Sequence, residues 1–253
     1  MSRPVKTTSF VAPVWLRADL PRETVLRYWA GPHAQVVGQL PNMTEYVQWH
    51  FSPTDHGYWP SSATVGTIVP PGWRCDGAAE VRFAGTGAAL TMPVRMREIY
   101  LDEQNIFARV LGQVTGPGGG RWWTDGHDDA AAHRTVILLR RRRGVRGRAF
   151  RTYVHERIGP ALHRAGAADL RTYTFLPWTR FVHPAPGVAH DNPVSHRYHG
   201  CVVVGADSRA AMDELLKSEP VAGIVADQHT VLTAAHAYTV ERTVPVIRRR
   251  TSK

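Results

Sequence analysis

What constrains this chain most is that its order of elements is written twice. In residues 19–51, Leu26, Trp29, His33, Val36, Val37 and Leu40 recur at three- and four-residue spacing and so share one helical face. Asp19-Leu20-Pro21 supplies a cap and a start. Pro41-Asn42 turns the chain, and Tyr46, Gln48 and His50 then alternate with Val47 and Trp49, as strand residues on opposite faces do. In the second half, at one constant offset, Phe150 answers to Leu26, Tyr153 to Trp29 and Arg157 to His33. Tyr173 answers to Tyr46 and Gly200 to Gly77 with the small drift that loop-length changes produce.

The remaining segments fit the same order. Residues 8–17 read as a strand with Pro13 at an edge or bulge. Residues 76–83 and 106–114 read as two more strands, around a helical stretch at 87–103 that Pro93 interrupts. Residues 52–74 read as a long loop of the lid or binding kind. The glycine run at 116–120 reads as a linker. Strands at 135–140, 170–176, 200–206 and 235–245 follow, with helices at 147–165 and from a Ser208 cap to Pro220. The expected class is α+β: two tandem ferredoxin-like (βαββαβ) halves, 1–117 and 134–253, joined by a linker at 118–133. Each half leaves one sheet face bare, and two such faces bury each other in an intramolecular dimeric α+β barrel. The enclosed space between sheet and helices in each half is the expected ligand pocket.

The chain has 253 residues, 43% of them hydrophobic, and no apolar run long enough to cross a bilayer. The N-terminus lacks a signal-peptide apolar core, so a cytoplasmic protein is expected, with no membrane partner. Cys75 and Cys201 lie far apart without metal spacing and read as buried thiols. Net charge is +10, concentrated at Arg140–Arg143, Arg146, Arg148 and Arg151 and in a tail of Arg248, Arg249, Arg250 and Lys253. Both runs read as solvated surface.

The run YWAGPHAQVVGQLPNMTEYVQWHF, residues 28–51, carries a Tyr28-Trp29 pair, His33, a Leu40-Pro41 turn and a strand with Tyr46. DGAAEVRF follows with Asp76, Gly77 and Glu80, and Leu101-Asp102-Glu103 stands before Phe107. Together these resemble the signature of EthD-domain proteins, of the dimeric α+β barrel superfamily, over most of residues 8–115. The second half resembles it less: Arg157 stands where a histidine is expected, and His155 lies two residues away. The resemblance implies the barrel fold and a small-molecule site in the first half. Relatives include small monooxygenases and aromatic polyketide cyclases, so one scaffold serves different chemistry.

His33 is the leading catalytic candidate, because a neutral imidazole facing an apolar cavity titrates where proton transfer to or from carbon needs it. On spacing alone, a hydrogen-bonded core histidine fits as well. Tyr46 and His50 are placed as partners that bond a substrate oxygen or orient His33. Trp29, Gln48, Tyr58 and Trp73 are expected to bind the substrate, as are Arg157 and Tyr173 of the second half. The loop histidines His183, His190, His196 and His199 fit no compact zinc pattern, so no metal is expected. There is no GxGxxG, P-loop or GxSxG motif, so no cofactor is expected.

The expected function is therefore a cofactor-independent enzyme on a hydrophobic, aromatic or polyketide-like small molecule. His33 would act as general acid or base in a cyclisation, dehydration, decarboxylation or related lyase step. The alternatives are a cofactor-free monooxygenase in the same pocket and a non-catalytic hydrophobic or haem-like ligand carrier. RNA binding ranks last and no nucleic-acid partner is expected, because the central strands lack the aromatic RNA-recognition motif. Pairing of two chains into a homodimer stays open.

Overall fold

In the computed structural model, residues 3–62, 64–91, 96–124, 131–179 and 184–248 are described. The first half runs β1 (Val5–Thr7), β2 (Ser9–Leu16), α1 (Arg22–Tyr28), α2 (Ala34–Gly38), β3 (Met43–Phe51), β4 (Gly77–Phe83), α3 (Thr86–Thr91), α4 (Arg97–Glu103) and β5 (Phe107–Val110). Strand β6 (Gln113–Trp122) leads into β7 (His133–Arg141), α5 (Gly147–Thr152), α6 (Gly159–Arg164) and β8 (Asp169–Phe175). Then come β9 (Gly200–Ala206), α7 (Arg209–Lys217), α8 (Glu219–Asp227) and β10 (Leu232–Arg248).

Eight strands close an antiparallel barrel in the order β6-β8-β9-β7-β10-β3-β4-β2, and β2 returns to β6 through Phe10↔Val114 and Val11↔Gln113. Two long strands make the seams. The seventeen-residue β10 pairs with β7 through its first half and with β3 through its second. Strand β6 joins β8 to β2. The glycine run expected as a linker is thus part of β6. Its register against β8 slips between Thr115 and Gly120, with Gly118 at φ 62°. Glycines read as a break here serve a bulged seam, where Gly120 lies too close to Thr7 and Ser9 to carry a side chain. Pro13 sits where the partner of β2 changes from β6 to β5, so its missing N–H interrupts no ladder.

The helix at the start of each half is interrupted by a π-turn, Trp29–His33 and Tyr153–Ile158. Pro32 and Pro160 explain both, since a proline inside a helix has no N–H for the i−4 carbonyl and its ring pushes that carbonyl away. Ser208 caps α7 by accepting from the Ala211 N–H, and Pro220 starts α8.

The described residues of 52–74 form a strap rather than a free lid. Trp59 is buried in the helix-side core of the second half and donates to Gln228 Oε1 at 2.8 Å. Both cysteines are buried free thiols. Among the described residues no helix is long and apolar enough to cross a membrane.

The barrel interior is apolar around Val47, Trp49, Trp122, Leu138 and Val203, yet it holds a charged network. Arg171, fully buried, donates to Glu80 Oε1 at 2.7 Å and to Asp169 Oδ1 at 3.2 Å. Tyr173 donates to Glu80 Oε1 at 2.6 Å, and Trp49 Nε1 to Oε2 at 2.8 Å. Arg134 closes on Asp169 at 3.1 Å, and the Arg171 guanidinium lies 4.1 Å over the Trp122 ring. Such charges are tolerated only when paired and fully bonded. Arg171→Leu leaves two buried carboxylates short of a cation. It is expected to destabilise the fold by about 3–5 kcal/mol in denaturant titration; a loss under about 1 kcal/mol would show the network to be dispensable.

Candidate functional site

The site is built where α1 and its π-turn cross the outer face of the first-half sheet. On β3, Tyr46, Gln48 and His50 face the helix, while Val47 and Trp49 point into the barrel. Gln48 Nε2 donates to the Trp29 carbonyl at 2.8 Å and to the Tyr46 hydroxyl at 3.0 Å, fixing strand to helix. The π-turn delivers His33 inward, 3% exposed, with its ring edge-on to Phe107 at 5.7 Å.

The partner of His33 comes from α4. Its Nδ1 lies 2.7 Å from Asp102 Oδ2, and Tyr28 donates to Asp102 Oδ1 at 2.6 Å. Asn105 Nδ2 approaches the same oxygen at 3.3 Å. The bond to His33 comes first among the causes that hold the Asp102 carboxyl below its usual range; burial opposes it. With Nδ1 occupied, Nε2 is the nitrogen left to exchange a proton, and among the described residues it makes no hydrogen bond.

His33 lines an apolar cavity together with Trp29, Met43, Tyr46, Met96, Ile99, Glu103 and Phe107. Its volume is about 40 Å³, room for about one water molecule. Anything larger than a water would have to displace side chains to enter, and two of those that fill the space are pliable methionines. Burial pushes the Tyr46 hydroxyl well above its ordinary value, so it stays a neutral phenol.

The other expected site residues lie elsewhere. His50 does not reach His33: it stacks on the far side of Trp29 at 4.5 Å, with Nε2 3.2 Å from Gln48 Oε1. Burial, with Arg242 and Arg22 nearby, lowers it to about 3, so it is a neutral core group. Tyr58 is 46% exposed on the strap. Trp73 stacks on His196 at 3.9 Å, under the Arg109 guanidinium, away from the cavity.

Arg157, expected on an inner helical face, is exposed and donates to Asp227 at 2.9 Å. The second π-turn is one residue longer than the first, which rotates Arg157 outward and puts the buried Ile158 inward. Tyr173 faces the barrel interior and bonds Glu80, whereas Tyr46 faces the helix; the correspondence between them is off by one residue, which exchanges faces. On the helix side of β8, His155 bonds the hydroxyls of Thr172 at 2.9 Å and Thr174 at 3.1 Å. It is fully buried and lowered by burial to about 3.

Of the loop histidines, His183 and the tail residues Arg249, Arg250 and Lys253 lie outside the described residues. His190 bonds two backbone carbonyls, and His199 accepts the Arg141 N–H. Among the described residues no three metal-binding side chains converge.

The sequence matches no family model and no curated protein. Solved structures do match over nearly the whole chain. An anthrone oxidase-like protein aligns at TM-score 0.60 with 7% identity, covering 98% of this chain and 97% of that one. A provisionally assigned monooxygenase of Fusobacterium nucleatum aligns at 0.59 with 5% identity, covering 95% and 93%. Another, of Lactobacillus acidophilus NCFM, aligns at 0.54 with 9% identity, covering 96% and 95%. At such identities the likeness concerns the fold alone, which in this chain is a closed eight-stranded antiparallel barrel with helices packed outside it.

Proposed function

We propose that this chain is a cofactor-independent enzyme acting on a hydrophobic aromatic or polyketide-like carbonyl compound, with His33 as the group that moves the proton. The observation that carries the reading is the 2.7 Å contact of His33 Nδ1 with Asp102 at the wall of an apolar cavity. Nε2 takes a proton from carbon next to the carbonyl and leaves an enolate; the Tyr46 hydroxyl, neutral and in the same cavity wall, supports the reading as the donor to its oxygen. Return of the proton to a leaving hydroxyl completes a dehydration, and ring closure of the enolate completes a cyclisation. The EthD-type reading of the chain as two tandem ferredoxin-like halves, with its site in the first half, belongs to the same proposal, as does a cytoplasmic protein able to pair as a homodimer.

A second reading uses the same atoms. A stabilised carbanion adds dioxygen, and the resulting hydroperoxide loses water to give a ketone: one CH₂ and one O₂ become one C=O and one H₂O. The anthrone oxidase-like and monooxygenase-type fold relatives support keeping it. The test is turnover of anthrones and linear polyketide-type ketones with and without dioxygen, in the wild type and His33→Ala. Loss of turnover with an unchanged circular dichroism spectrum is expected for His33→Ala. Retained turnover in that variant would remove both readings, and dependence on dioxygen separates them.

A further inference from the structure

The arginine run that reads from the sequence as solvated surface lines a cleft. Arg141 at the end of β7, Arg148 and Arg151 on α5, and Arg197 before β9 surround a space of about 610 Å³ beside Phe175 and Trp178. That is within the range of small-molecule sites, about 300–1,000 Å³. Among the described residues no acidic side chain lines it. Arg151 donates to the Pro117 carbonyl and Arg197 to the Asn192 carbonyl, each leaving further N–H groups, and no described carboxylate pairs with any of the four. The rim is apolar: Leu176 is 52% exposed and Val194 74%. The Arg197 guanidinium lies 5.1 Å over the Trp178 ring and gives its Nε–H to Asn192, so its terminal N–H groups remain to face an oxyanion.

We infer that this cleft binds a small organic anion carrying at least two negative charges on an apolar, ring-bearing body. Four guanidinium groups with no counter-ion among the described residues recognise carboxylate or phosphate oxygens in paired fashion, while the exposed Leu176 and Val194 cover an apolar surface. His199 reports the field in the cleft. Burial first, then Arg141, Arg140 and Arg197, lower its imidazole to about 4. The cleft shares no lining residue with the cavity at His33, so the inference stands apart from the acid/base reading.

The experiment is isothermal titration calorimetry of the full chain with naphthalene-2,6-dicarboxylate, 1-naphthyl phosphate, pyrophosphate and, as the neutral control, naphthalene-2,6-dimethanol. The expected result is saturable binding of one or both naphthyl anions, weakening with salt, and none of the diol. The better of the two identifies carboxylate or phosphate as the charge source. Arg148→Gln/Arg151→Gln, both exposed and outside the core, should weaken binding roughly tenfold or more, and His33→Ala should leave it unchanged. A saturating anion should also raise the His199 imidazole pKa followed by NMR. Equal binding of the diol, an unchanged affinity in the double variant, or tighter binding of a single-stranded RNA than of either naphthyl anion would each overturn the assignment.

Discussion

Asp102→Asn should lower kcat by about 10²–10⁴ while KM and the unfolding midpoint stay close to wild type. On the proposed acid/base reading the carboxylate does no chemistry itself; 2.7 Å from Nδ1 of His33, it acts as a positioning residue that holds the proton on Nδ1 and so keeps the Nε2 lone pair free. An asparagine presents an NH₂ group as readily as an oxygen, and when the NH₂ faces Nδ1 the imidazole must carry its proton on Nε2, where it cannot act as a base. Tyr28 and Asn105 still find the amide oxygen, so the local packing survives. A merely structural Asp102 would give the opposite split, a fall in stability with kcat per folded molecule unchanged. Asp102→Glu, which keeps the acceptor on a longer arm, should recover part of the rate; no recovery together with normal folding would argue against the orienting role.

The first-half helix and strand were legible because their signals are local. Three- and four-residue spacing put Leu26, Trp29 and His33 on one face, and alternation put Tyr46, Gln48 and His50 opposite Val47 and Trp49. Asp102 was not legible as the partner of His33, since only the packing of α4 on the π-turn brings two residues so far apart in the chain together. Arg157 and Tyr173 were misplaced for one kind of reason: a constant offset between the halves cannot see one extra residue in a π-turn or a one-residue shift in a strand, and either turns a side chain to another face. Glycines at 116–120 signal a loop to any local reading, and only closure of the barrel makes them a seam. Glu80 and Arg171 look like exposed strand charges until the second sheet covers them.

The burial that closes this barrel makes the fold acid-sensitive. His50 and His155, fully buried, are lowered to about 3, and His236, 2.6 Å from the Tyr198 hydroxyl, to about 4, by burial first in each case. A histidine that titrates near 6.5 in the unfolded chain and far lower in the folded one stabilises the fold above pH 6.5. That stability is lost as pH falls from 6.5 towards the folded value, because the unfolded chain takes the proton first. At pH 5 each of the three costs about 2 kcal/mol relative to pH 7. Glu45 works the other way: burial raises it to about 6, so it destabilises the fold at neutral pH and returns about 1 kcal/mol by pH 5. Over these four groups the expectation is a loss of about 5 kcal/mol between pH 7 and pH 5, comparable with the whole stability of many domains. Denaturant titration at the two pH values measures it. His50→Gln, which keeps a polar partner for Gln48 but does not titrate, should remove about two fifths of that loss. A folding free energy that changes by less than about 1 kcal/mol over this range would mean that water or rearrangement reaches these imidazoles, and that the helix–sheet interface holding His33 is looser than its packing implies.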